Sequence, residues 1–242
     1  MFFDVYEYTN NGGRAYNEDA IGHISDGNSG VFVVADGLGG HKFGELASEC
    51  VKNTFLSGIS GGFVQGQSDW IKYMMETANK NILNLQTEKK EVLKSTAVVL
   101  TIDNGRAVWA NVGDSRLYYI HNSRIQDVTN DHSVSFKKYK AGEISRDAIR
   151  YDDDQNRLLR TLGGKDHNEP EIYDKDIYVV PGDAFMLCSD GVWEYLHDEE
   201  VLIDFLCAES SKNWAELLLT RIIARVDGDH DNLSVMAIRV EG

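Results

Sequence analysis

Hydrophobic positions along the chain follow two rhythms. Alternation, or a short run that is apolar throughout, marks strands. Phe2–Tyr8 alternates, with Phe3, Val5 and Glu7 on one face; Ala20–Ile24 is short; Gly30–Ala35 is apolar throughout. Ser95–Ile102 and Ala107–Val112 are rich in β-branched and apolar residues and are joined by Asp103-Asn104-Gly105-Arg106. Arg116–His121 follows at once, with a turn at Asn122-Ser123, so these three segments are expected to form an antiparallel meander. Ile172–Val180, Ala184–Ser189 and Leu233–Val240 complete the set, with a turn at Pro181-Gly182-Asp183. A helical period appears over Gly44–Gly58 and Ser68–Leu85, the second with Ser68 or Asp69 as N-cap. Asp198–Cys207 and Trp214–Val226 form another amphipathic pair. Strands run in succession while helices come in pairs, which predicts α+β organisation, not βαβ alternation.

Residues 131–168 fit neither period, apart from a short helix expected at Val134–Lys140. A polar insertion of this kind reads as a flap over a site. No repeat, linker or low-complexity tract interrupts the chain, so residues 1–242 are expected to form one domain.

Composition narrows the function. The chain carries 39 Asp and Glu against 24 Lys and Arg, a net charge of −15. A field of that sign repels nucleic acid and anionic membrane surfaces, so neither is an expected partner. No apolar run approaches the roughly 20 residues of a membrane helix, and the N-terminus lacks a secretory pattern. Cys50, Cys188 and Cys207 are widely spaced and odd in number, which excludes a disulfide framework and fits a reducing cytoplasm.

Candidate chemistry lies in the acidic residues. The run Val31–Val34 leads into Ala35-Asp36-Gly37-Leu38-Gly39-Gly40-His41. Alone, Asp36-Gly37 reads as a turn. The same juxtaposition recurs, however: Asp190-Gly191 ends another strand, Gly113-Asp114 lies between two strands, and Asp231 precedes the last one. Four carboxylates at one sheet edge repel unless a cation lies between them, and all-oxygen ligation suits Mg²⁺ or Mn²⁺. Glu18 and Asp19, four and five residues after Arg14, add carboxylates beside a guanidinium that fits a pair of phosphate oxygens. Asp152-Asp153-Asp154 is not a calcium loop, because its sixth and twelfth positions are Arg157 and Gly163 rather than Gly and Glu.

Eight segments in order carry a family resemblance: Arg14 to Asp19, Val34 to His41, Ser95-Thr96-Ala97, Val112 to Arg116, Asp131-His132-Ser133, Leu162-Gly163-Gly164, Ser189 to Trp193, and Asp231 to Ser234. Together they resemble the metal-dependent protein Ser/Thr phosphatases of the PP2C type (PPM family). The match runs from about residue 4 to residue 240, and Ala141 to Ile144 with Gln155 to Arg160 looks like the flap of the bacterial branch. The resemblance implies a four-layer α-β-β-α sandwich, two antiparallel sheets flanked by helix pairs. It implies that Asp36 bridges two metals, Mn²⁺ or Mg²⁺, with Glu18 and the Gly37 carbonyl on one and Asp190 and Asp231 on the other. Asp114 with Asp190 matches a third metal site of bacterial members. Arg14 would hold the substrate phosphate, and Asp19 would hydrogen-bond the attacking water. The implied partners are phosphorylated Ser/Thr proteins and a bacterial Ser/Thr kinase.

The chain departs from the family at one point. Eukaryotic members place a proposed general-acid His directly after the bridging Asp-Gly; here that residue is Leu38, and His41 stands three further on. His41 is therefore carried as a catalytic or supporting candidate, and the other six histidines are expected to be structural or superficial. Cysteine phosphatase chemistry is excluded, because the sixth residues after the three cysteines are Leu56, Glu194 and Asn213, not Arg. Two competing readings remain: a binding module that has kept the fold without turnover, and a phosphatase for small esters.

Overall fold

Strand β3 (Gly30–Gly39) is buried on both faces, and that single fact organises the molecule. Val31, Val33 and Ala35 pack with helix residues, while Phe32 and Val34 pack with residues of a second sheet. The computed structural model describes residues 1–39, 43–63, 65–166 and 168–242. Among these, one sheet has the order β1 (Phe2–Asn10), β11 (Leu233–Glu241), β10 (Ala184–Cys188), β7 (Arg116–His121), β8 (Arg124–Val128). The other has the order β2 (Asp19–Ser25), β3, β5 (Ala97–Asp103), β6 (Arg106–Val112), β9 (Glu171–Tyr178), with β4 (Leu93–Ser95) also on β3. The recorded pairings are antiparallel.

Three apolar clusters hold the layers. Between the sheets, Phe32, Val34, Leu100 and Trp109 meet Leu117, Phe185, Leu187 and Met236. Outside the second sheet, α1 (Gly44–Gly58) and α2 (Gln67–Lys89) bury Val51, Phe55, Ile71 and Ile82. Outside the first sheet, α5 (Asp198–Cys207) and α6 (Ser211–Ile223) bury Val201, Phe205, Trp214 and Leu218, beneath which α4 (Asp190–Trp193) places Trp193. Each fully buried side chain of this size is worth about 1.5–3 kcal/mol, so the three clusters decide the α-β-β-α layering over local propensity. Short α3 (Val134–Lys140) starts on Ser133, whose Oγ accepts from the Phe136 amide. Among the described residues no helix is long and apolar enough to cross a membrane.

Four sequence expectations need correction. The expected three-stranded meander is not one sheet: β5 and β6 pair, but β7 crosses to the other sheet, between β10 and β8. β5, β6 and β7 are buried almost throughout, so their periodicity carries no information on which sheet each joins. Asp36-Gly37 is not a turn: β3 runs through it to Gly39, exchanging β5 for β4 as partner. Asp190 opens α4 rather than ending a strand. Neither Ser68 nor Asp69 caps α2; Gly66 takes that position, and the Ser68 hydroxyl donates to Asp174 instead. Strand β8, too short and polar to read from sequence, pairs with β7.

Candidate active site

The strand exchange on β3 builds the site. Where β3 leaves β5, the Asp36 amide donates to Thr96 Oγ1 at 2.9 Å, and its carbonyl accepts from the Thr96 amide and the Ser95 hydroxyl. The register of β2 with β3 sets Asp19 opposite Asp36. Gly37 lies against both neighbours: a Cβ there would stand 2.1 Å from the Gly44 carbonyl oxygen and 2.6 Å from that of Glu18. That closeness lets the Glu18 carboxylate accept from the Gly44 amide at 3.1 Å at the start of α1, which suits a negative charge at a helix N-terminus. Gly191 works the same way on the far side, its Cβ position 2.1 Å from the Asn232 carbonyl oxygen, so α4 and the start of β11 approach closely.

Asp36, Glu18, Asp114, Asp190, Asp231, Gly37 and Arg14 all line one cleft of about 480 Å³. Every described residue proposed as a ligand or phosphate holder is thus in one place, although they come from five separate parts of the chain. Arg14 Nη2 donates to Asp231 Oδ2 at 3.1 Å, and this pairing, foremost, raises the Arg14 pKa. Asp19 lies just behind the cleft, buried, with Ser189 Oγ donating to its Oδ2 at 2.8 Å. His41 lies outside the described residues. Asn156 and Leu158, from the polar insertion, form part of the cleft wall.

The carboxylates disturb one another. Asp36 and Asp190 show an edge to the cleft but are otherwise enclosed by protein. Enclosure, then the charges of Asp190, Asp19, Asp114 and Asp231, raise the Asp36 pKa well above the ordinary range. Asp114 rises likewise, through burial and then Asp190 and Asp131. Asp190 is pushed up to about 6 by burial and then Asp231, and Asp19 to about 7 by burial, against hydrogen bonds from Ser234 and Ser189. One oxygen of Asp114, Oδ1, is buried without a hydrogen-bond partner. A mutually repelling, all-oxygen set with an orphaned buried carboxylate oxygen fits hard divalent cations. Among the described residues no three His, Cys, Asp or Glu side chains stand as one tight metal cluster; these carboxylates ring the cleft.

A family model decides the family. The model described as Protein phosphatase 2C matches residues 11–216. The chain belongs to the protein phosphatase 2C family. This PP2C chain is 28% identical over 235 residues to the serine/threonine phosphatase stp of Listeria welshimeri, covering 93% of this chain and 90% of the relative. It is similar in structure to the serine/threonine phosphatase Stp1 of Staphylococcus aureus, with TM-score 0.86, 25% identity, and coverage of 100% and 96%. It shares its fold with the catalytic domain of the phosphatase PstP in complex with two manganese ions, with TM-score 0.83, 22% identity, and 99% of each chain.

Two residues that the sequence does not mark bear on the PP2C cleft, Asn232 in its lining and Glu194 beside Asp190. Asn232 Oδ1 accepts from the Glu18 amide at 2.7 Å, while its Nδ2 donates to the carbonyls of Asn11 and Tyr16, tying the Arg14 loop to β11. In sequence it stands within Asp231 to Ser234, where nothing sets it apart from its neighbours. Glu194 follows Asp190 by one helical turn, and burial, then Asp190, then Asp231, push it up to about 8. Its signal was the i, i+4 spacing, legible only once α4 is known to be a helix.

Proposed function

We propose that the chain hydrolyses phosphoserine and phosphothreonine in proteins, using divalent cations, Mn²⁺ or Mg²⁺, held in this cleft. The gathering of Glu18, Asp36, Asp114, Asp190 and Asp231 in one cleft with Arg14 carries this reading. Asp36 would bridge two cations, Glu18 and the Gly37 carbonyl serving one and Asp190 and Asp231 the other; Asp114 with Asp190 would hold a third. Bound cations would supply a water of lowered pKa and positive charge to offset the negative charge developing on the phosphate.

The chain's own groups do the rest. Arg14 would turn its remaining donors to two phosphate oxygens, orienting phosphorus for in-line attack. Asp19, held by Ser189, would orient the attacking water by hydrogen bond. Asn156 and Leu158 would form the wall of a flap, residues 131–168, above the phosphate. His41 stays a candidate for protonating the departing Ser or Thr oxygen, since Leu38 has no proton to give. The chain would act as one domain of residues 1–242, without a phosphocysteine intermediate, since none of its cysteines has an Arg six residues on. The substrates would be products of a Ser/Thr kinase in the cytoplasm, a setting consistent with the free Cys50, Cys188 and Cys207.

Hydrolysis of a phosphothreonine peptide tests this. Turnover is expected with Mn²⁺, none with a chelator, and Asp36→Asn should lose about 100-fold or more, the usual cost of removing one preorganised charged group. A fully active Asp36→Asn, or turnover indifferent to chelator, would overturn it.

A further inference from the structure

The turn that carries Asp114 is clamped from behind by a buried histidine. Gly113 has φ +100°, and a Cβ there would lie 2.6 Å from Thr96 Cγ2, so the turn admits only glycine. The Gly113 amide donates to His132 Nδ1 at 3.2 Å, and the His132 amide donates back to the Gly113 carbonyl at 2.9 Å. Beyond Gly113, the turn is fixed twice more: Trp193 Nε1 donates to the Asp114 carbonyl at 2.9 Å, and the hydroxyls of Thr96 and Ser115 lie 2.7 Å apart. Asp114 thus reaches the cleft from a turn held by hydrogen bonds on both sides of it.

His132 also faces the polar insertion. Its carbonyl accepts from the Leu159 amide at 2.7 Å, next to Leu158 in the cleft wall. Its Nε2 lies 3.4 Å from Glu171 Oε2 on β9, and Asn130 Nδ2 donates to the other Glu171 oxygen at 2.7 Å. These contacts determine the tautomer. Since Nδ1 accepts from Gly113, the ring proton sits on Nε2 and is donated to Glu171. Arg160 Nη1, also 3.4 Å from Nε2, then meets a donor and makes no hydrogen bond there.

We infer that His132 is a positioning residue: its ring, as the Nε2–H tautomer, locks Gly113-Asp114, while its main chain joins that turn to Leu159, next to the cleft wall. It touches neither substrate nor cation; it acts through Asp114. A group of this kind typically carries about 10–100-fold in metal affinity or activity. The inference rests on the phosphatase reading for its effect on turnover, but not for the tautomer.

Two measurements test it. Nitrogen NMR of ¹⁵N-imidazole-labelled protein should show the His132 proton on Nε2; a proton on Nδ1 would overturn the inference whether or not the chain is a phosphatase. In the second, His132→Ala, His132→Gln and His132→Asn are compared below their melting temperatures. Asn places an acceptor where Nδ1 stands; Gln and Ala do not. Ala and Gln should raise the Mn²⁺ concentration for half-maximal turnover about tenfold and lower kcat, while KM for the peptide stays within about twofold. Calorimetric titration with Mn²⁺ alone should show the same weakening. Asn should return both readings to near wild type. A merely structural histidine would lower Tm in all three variants without moving the Mn²⁺ midpoint, and Asn behaving like Ala would equally sink the idea. If wild type itself shows no turnover, the phosphatase reading fails, and the tautomer and the calorimetry still decide the role of His132.

Discussion

Gly37 shows how one residue's smallness sets the site. Asp-Gly after an apolar run suggests a turn, where glycine supplies positive φ. Here the backbone stays in β3, and glycine is required because Cβ would collide with the Gly44 carbonyl at 2.1 Å. The position of Cβ is set by the main chain and the carbonyl belongs to it, so neither can rotate away. Gly37→Ala should therefore force β3 from α1, costing about 1–3 kcal/mol, the usual range for overpacking. Denaturant unfolding measures this; because Glu18 depends on the same contact, Mn²⁺-dependent turnover should fall as well. A variant with unchanged stability and turnover would show that β3 and α1 can separate freely. The need for glycine was legible in the sequence, but not its reason, because the colliding carbonyl lies across an interface between elements.

At the scale of elements, a helix start can be fixed by side chains as firmly as a strand is by its register. α5 opens on a capping box: the Glu200 carboxylate accepts from the His197 amide at 3.0 Å, while the Arg225 guanidinium binds both of its oxygens. Arg225 foremost, against the opposing effect of burial, and then the His197 amide hold Glu200 well below the usual carboxylate range, at about 2. A depressed carboxylate stabilises the fold above its unfolded value, near 4.5, and the gain disappears as pH falls towards 2. Glu200→Gln should thus lower Tm at pH 7, and the gap to wild type should close as pH falls from about 4.5; a gap that is constant with pH would contradict this. Elements were well read where one face is apolar: α1 and α5 stand within their expected bounds. They were misread where both faces are buried. β7 has no polar side to show which sheet it faces, and the crossing at Gly113 rests on a φ of +100° that the sequence shows only as a glycine.

For the whole molecule, five stretches of chain must meet for the cleft to exist, and their like charges oppose the meeting. Cations that bind the folded state alone should therefore stabilise it. At a hundredfold excess over its dissociation constant, one Mn²⁺ site adds about 2.7 kcal/mol, or about 5–10 °C in Tm for a chain of this size. Asp36→Asn combined with Asp190→Asn should abolish the shift in a thermal scan; a shift that survives both substitutions would place the binding elsewhere. From the sequence alone came the α+β class, the acidic residues that converge, the Arg14 that joins them in the cleft and the family resemblance. These depend on local periodicity and on the order of short motifs along one line. The tertiary structure alone decided which sheet receives β7, why Gly37 and Gly191 must be glycine, that Asn232 ties the Arg14 loop to β11, and that His132 stands behind Asp114. Each of these is a contact between residues far apart in the chain, and only packing brings such residues to one point.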